Sequence, residues 1–81
     1  MKRTQDRATF DERVGRTLRA MRKAAGLRQV EIAARAGWAQ SYVSKMERGA
    51  SLTFYNVGLY LRALEPDPTA RARCLSALME A

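Results

Sequence analysis

The chain has 81 residues, of which 15 are Lys or Arg and 8 are Asp or Glu, giving a formal charge of +7, with no histidine and a single cysteine. A chain of this length makes one domain whose core is barely sufficient alone, so association with a second copy is a natural supplement. Without histidine, and with Cys74 as its only cysteine, it cannot assemble a Cys/His zinc site, a disulfide framework or a Ser-His-Asp arrangement within one chain, so it is read as a non-enzyme with no metal or cofactor.

The positive excess favours a polyanionic partner, nucleic acid before an anionic membrane. No apolar run approaches the roughly 20 residues needed to span a bilayer, and MKRTQDRATF lacks the apolar centre of a secretory signal, so a cytoplasmic location is expected. Residues 1–8, with Lys2, Arg3 and Arg7, read as a flexible basic arm, either solvated or placed against a phosphate backbone or minor groove. Residues 9–81 read as one helical domain. Thr9 and Glu12 have capping-box spacing and place a helix start there. Phe10, Val14, Leu18 and Met21 then repeat at helical spacing as a buried stripe, and Arg13, Arg16, Arg19, Arg22 and Lys23 occupy the other faces.

Gly26 ends the first helix. A short second helix follows, from about Gln29 to Arg35, with Ile32 and Ala33 inward and Glu31 and Arg35 as an outward i, i+4 pair. Gly37 breaks the period, Trp38 wedges into the turn, and a third helix spans about Gln40 to Arg48 with Val43 and Met46 toward the core. Two short helices about a glycine turn have the form of a helix-turn-helix. The remaining arc of the third helix carries Gln40, Ser41, Ser44, Lys45 and Arg48, with Tyr42 at its border. Short hydroxyl and amide side chains with one cation can read base edges, so Gln40, Ser41, Ser44 and Lys45 are the base-reading candidates.

After Gly49, Ser51 and Thr53 offer N-cap oxygens for a fourth helix with Phe54, Val57, Leu61 and Leu64 inward. Gly58 within it implies close approach of another helix. Tyr55, Leu59 and Tyr60 lie off that stripe, and a helix apolar on more than one side wants a second partner. Pro66, Asp67 and Pro68 start a fifth helix, with Asp67 as N-cap and Pro68 at the first helical position. Ala70, Cys74, Leu75, Leu78 and Met79 give it an apolar face. The expectation is an all-α domain of five helices.

From Val14 to Leu64 the chain resembles the Cro/C1-type, or XRE-type, helix-turn-helix regulators, on VGRTLRAMRKAAGLRQVEIAARAGWAQSYVSKMERG and above all on Gln29, Ile32, Ala33, Gly37, Val43, Ser44 and Glu47-Arg48-Gly49. The resemblance implies a lambda-repressor-like fold and a sequence-specific regulator of transcription that binds double-stranded DNA as a homodimer. The second copy would place a second recognition helix about 34 Å away on an inverted repeat. It implies an ion pair between Arg22 and Glu47 and a phosphate contact from Gln29. Arg28, Tyr42, Arg48, Ser51, Thr53, Tyr55 and Asn56 are further phosphate candidates. Dimers in the family form through the C-terminal helices, which assigns Leu59, Tyr60, Leu75, Leu78 and Met79 to the interface. Arg28 and Ala39 stand where the family usually has a Ser, Thr or Asp cap, and Leu52 where it usually has a proline. The layout is similar to phage-type repressors and restriction-modification controller proteins. Antitoxins and other protein-interaction modules share the fold and are the alternative.

Overall fold

The computed structural model describes the backbone of residues 2–80 and the side chains of residues 7–80. Five helices follow one another: α1 (Lys2–Ala24), α2 (Gln29–Ala36), α3 (Gln40–Glu47), α4 (Phe54–Leu64) and α5 (Pro68–Met79), with no strand among the described residues. The all-α expectation holds, and α2 and α3 begin at the residues expected.

The first helix begins earlier than its capping signal. Because α1 already runs from Lys2, Thr9 lies in its interior and caps nothing, and helical backbone covers residues 2–8 of the segment read as an arm. The side chains of Lys2 and Arg3 lie outside the described residues. Arg7 is exposed.

The core is built from Val14 and Leu18 of α1, Ile32 and Ala33 of α2, Val43 and Met46 of α3, Tyr60, Leu61, Ala63 and Leu64 of α4, and Leu78 of α5. Each fully buried aliphatic side chain in it is worth about 1.5–3 kcal/mol relative to exposure. Trp38 packs half-buried at its edge and meets Tyr42 edge-on, with ring centroids 5.0 Å apart, as a wedge in the turn. Gly37 takes a left-handed φ of 76°, which reverses the chain between α2 and α3 without the penalty a side chain would bring.

The α1 and α3 backbones nearly touch. A Cβ on Gly15 would lie 2.6 Å from Gly49 N and 2.7 Å from Met46 O, and one on Gly49 would lie 2.8 Å from Glu12 Cα. Only hydrogen fits at both points, so the two glycines set how deeply the end of α3 seats against α1.

The fourth helix keeps Leu61 and Leu64 buried and Val57 against the core as expected, but exchanges its aromatics, with Tyr60 inward and Phe54 outward. Its buried residues are Asn56, Tyr60, Leu61, Ala63 and Leu64, whereas Phe54 is 86% exposed. Tyr60 is fully buried and Leu78 nearly so, which corrects their assignment to a dimer interface: both belong to the core of one chain. Gly58 is corrected too, since no atom of another helix lies within 4 Å of where its Cβ would be. Arg35 does not pair with Glu31. Its Nη1 donates to Ala63 O at 2.9 Å and satisfies a carbonyl at the end of α4.

The later caps hold as read. Thr53 Oγ1 accepts from Asn56 N at 3.1 Å, and Asp67 Oδ2 accepts from Ala70 N at 2.9 Å, with Pro68 at the first turn. Ala39 supplies no side-chain cap to α3. At Arg28 one half of a capping box survives: Glu31 Oε1 accepts the Arg28 backbone N–H at 2.7 Å, and this bond holds the Glu31 carboxyl below its ordinary range.

Candidate nucleic-acid interface

The candidate site is the outer arc of α3, fixed from behind by one buried carboxylate. Glu47, at the end of α3, accepts four hydrogen bonds. Arg22 Nε donates to Oε2 at 2.7 Å and Arg22 Nη2 to Oε1 at 2.9 Å, while Tyr60 Oη donates to Oε2 at 2.6 Å and Gln29 Nε2 to Oε1 at 3.1 Å. The remaining Arg22 nitrogen, Nη1, donates to Leu27 O at 2.9 Å. Side chains of the pair are 8% and 3% exposed, so the fork-to-fork geometry is desolvated. Burial pushes the Glu47 carboxyl upward, but the bonds from Arg22, Tyr60 and Gln29 outweigh it and hold it below its ordinary range. Tyr60 moves the opposite way: burial, reinforced by the adjacent carboxylate, raises its hydroxyl far above 10. Among the described residues no buried side-chain nitrogen or oxygen is left without a partner.

This cluster joins α1, α2, α3 and α4 at one point, and its outer end reaches the surface. Gln29 turns its amide oxygen outward, where Gln40 Nε2 donates to it at 3.4 Å. Buried charge, half-buried Gln29 and exposed Gln40 thus form a chain from the core to the first residue of α3. With one N–H of Gln40 so used, its oxygen remains for an external donor and its other N–H for an external acceptor.

Along α3, Val43, Met46 and Glu47 are buried, while Gln40, Ser41 and Lys45 are exposed and Ser44 is half-buried. The four base-reading candidates therefore lie together on the arc facing away from the core. Arg48 is exposed beside them, and its Nη1 donates to Ser44 Oγ at 2.6 Å, which directs the guanidinium along the same arc. Arg28 is exposed at the start of α2.

The loop after Gly49 divides the other candidates. Ser51, Thr53 and Tyr55 are exposed. Asn56 is corrected from a surface contact to a buried brace. Its Oδ1 accepts from Thr53 N at 2.7 Å, and its Nδ2 donates to Tyr42 Oη and to Ser51 O, so both ends of the amide are used inside the protein. Ser51 has a φ of 59°, a left-handed value that its bond to Asn56 helps to hold. Tyr42 is half-buried, and its hydroxyl accepts from Asn56 Nδ2, which leaves its own O–H free to donate.

Residue reasoning missed the roles of Tyr60 and Asn56. Asn56 stands three residues after Thr53, the spacing of a reciprocal cap with Asn in place of Glu or Gln, and that signal could have found it. No local signal marks Tyr60, because its partner carboxylate is thirteen residues away on another helix.

Two helices crossing about a glycine turn, the second with a polar outer arc, define a helix-turn-helix protein. The model of a helix-turn-helix domain family matches residues 13–74, and the chain belongs to that family. No curated protein matches it. No helix among the described residues is long and apolar enough to cross a membrane, and no group of three or more potential metal ligands occurs among them.

Proposed function

We propose that this protein is a sequence-specific, DNA-binding regulator of transcription that inserts α3 into the major groove as a homodimer on an inverted repeat. It is not an enzyme, takes no cofactor, and acts in the cytoplasm, where its DNA would be. The observation that carries this reading is the grouping of Gln40, Ser41, Ser44 and Lys45 on one outward arc of α3, backed by the Glu47 cluster.

A helix in the major groove reads bases with the residues near its N-terminus. Gln40 opens α3 with a free acceptor and donor, the pair that matches N6 and N7 of adenine. Lys45 can donate to guanine O6 or N7, and Ser41 and Ser44 supply short contacts that let the helix seat closely. Arg28, Gln29 and Arg48, with Ser51 and Thr53 of the loop and Tyr55 at the start of α4, surround the arc as phosphate contacts that fix its register. The charge of +7 supplies the sequence-independent attraction.

Selection of a bound sequence from random duplex DNA should return an inverted repeat for the wild-type chain. The Gln40→Ala/Lys45→Ala double variant should keep wild-type circular dichroism and lose that preference, each lost bidentate contact costing about 1–3 kcal/mol of discrimination. An unchanged preference would reject these residues as readers. Recovery of no sequence, together with a stoichiometric protein partner on purification, would favour a protein-interaction module.

A further inference from the structure

The outer face of α1 carries a concentration of charge that nothing in the single chain uses. From Arg13 to Lys23 the helix has five cations and no acid. Arg22 turns inward to Glu47, while Arg13, Arg16, Arg19 and Lys23 are all exposed. The ion pairs among the described residues, Arg22–Glu47 and Arg28–Glu31, include none of these four. At a rise of about 1.5 Å per residue they span about 15 Å of helix.

A helix face that is merely solvated sets acids against bases at i and i+4, which supports the helix, whereas like charges at that spacing repel. Here Arg13 and Arg16, Arg16 and Arg19, and Arg19 and Lys23 are like-charged neighbours three or four residues apart. The arrangement disfavours the free helix, and an external anion relieves it. Between the arginines the surface is low. Thr17 and Ala20 leave a shallow hollow of about 290 Å³ walled by Arg13 and Arg16, and the Thr17 hydroxyl is turned to the backbone, donating to Arg13 O at 2.8 Å. None of the six exposed large apolar side chains lies between Arg13 and Lys23. A protein partner would find no anchor there, since protein interfaces draw most of their energy from buried aromatic and apolar residues. A phosphodiester backbone is bound by cations without apolar contact, and the planar fork of arginine matches it.

The face also adjoins the recognition helix. A Cβ on Gly15 would stand 2.8 Å from Glu47 O, so this side of α1 points at the residue preceding Arg48. Arg19, one turn on from Gly15, lies on nearly the same side of α1, with Lys23, Arg16 and Arg13 successively farther round. Exposed cations thus continue from Arg48, beside the reading arc, to Arg19 and on around α1.

We propose that this face of α1 grips the phosphate backbone of the same duplex just outside the stretch that α3 reads, so that binding draws on DNA beyond the preferred sequence. The all-cation surface without an apolar anchor selects DNA over protein as the occupant. Continuity with the arc selects the same duplex over a second one. The inference rests on the DNA-binding reading for the identity of the polyanion.

Binding of the full chain across a salt series, on one duplex ending at the preferred sequence and one extended by a helical turn at each end, tests it. In wild type the extension should steepen the fall of log K with log salt. Arg13→Gln/Arg16→Gln/Arg19→Gln should remove that difference, lowering the slope on the long duplex by about 0.9 per lost contact, with preferred sequence and helical circular dichroism unchanged. Arg62→Gln/Arg71→Gln/Arg73→Gln takes the same charge from α4 and α5 and should keep the difference. Should the α1 triple variant fail to fold, Arg16→Gln alone should lower the slope on the long duplex by about 0.9. Equal wild-type slopes on the two duplexes would overturn the proposal, as would a difference that the α1 variant keeps or the control equally loses. Loss confined to the bridging of two separate duplexes, or to an acidic protein partner, would overturn it too. A chain with no sequence preference rejects the regulator alone, and random duplexes of the two lengths then decide the α1 face by the same comparison.

Discussion

Glu47 concentrates more of this protein's structure than any other residue. Its carboxylate is desolvated against Arg22 and collects donors from α1, α2 and α4, so removing it strips a buried guanidinium of its counter-charge, leaving it only Leu27 O, and leaves the Tyr60 hydroxyl only the longer bond to Leu18 O. Breaking one side of such a pair costs roughly 3–5 kcal/mol. Glu47→Ala should therefore unfold at correspondingly lower urea concentration, or fail to fold. The same cluster sets a pH window. Because the folded state holds the Glu47 carboxyl below its unfolded value near 4.3, its contribution is complete above that pH and is lost as pH falls through the folded pKa. Tyr60 is raised, so its contribution is complete below about 10 and is lost as pH climbs beyond. Thermal melts followed by circular dichroism should show a plateau of Tm between about pH 5 and pH 10. In Tyr60→Phe the alkaline fall should be shallower.

The α2 and α3 helices are short, and what fixes them is where they touch rather than how well they begin. Neither α2 nor α3 has a side-chain cap at its N-terminus, so their stability comes from buried Ile32, Ala33, Val43 and Met46 and from the glycine contact with α1. Helices of eight residues would be marginal alone. Gly15→Ala places a methyl within 2.8 Å of three backbone atoms around the end of α3, atoms that cannot swing aside as a side chain could. The predicted loss is about 1–3 kcal/mol, read as a fall in Tm, despite alanine being the better helix former. The α4 start behaves differently, because Thr53 and Asn56 cap it reciprocally and Asn56 also braces Tyr42 of α3. Asn56 thus ties the loop, through Ser51 O, and α3, through Tyr42, to the start of α4.

At the scale of the molecule, charge and apolar surface point to different partners on different faces. The outer arc of α3 is polar and surrounded by cations, while the face of Phe54, Leu75 and Met79 is apolar, with one acid and one base at its edges. Binding to DNA should weaken with salt according to the number of phosphates neutralised. Arg28→Ala removes one exposed cation at the start of α2 and should reduce the slope of log K against log salt by about 0.9, with the preferred sequence unchanged. Filter binding across a salt series measures it.

Five helices, their order and the glycine turn at Gly37 were legible in the sequence because they rest on local causes: apolar period, turn residues, and caps such as Asp67 with Pro68. The outward arc of Gln40, Ser41 and Lys45 was legible for the same reason, since inward Val43 and Met46 fix the opposite face of so short a helix. Tertiary structure alone decided which way α4 faces. That helix has apolar residues on two sides, and periodicity puts Phe54 on the inward stripe with Leu61 and Leu64 and Tyr60 off it, whereas Tyr60 is buried and Phe54 exposed. Tyr60 went inward because its hydroxyl finds the Glu47 carboxylate there, and a buried hydroxyl requires an acceptor. Phe54 and Gly58 were left outside as a consequence, a contact thirteen residues away in the chain determining which apolar surface stays exposed.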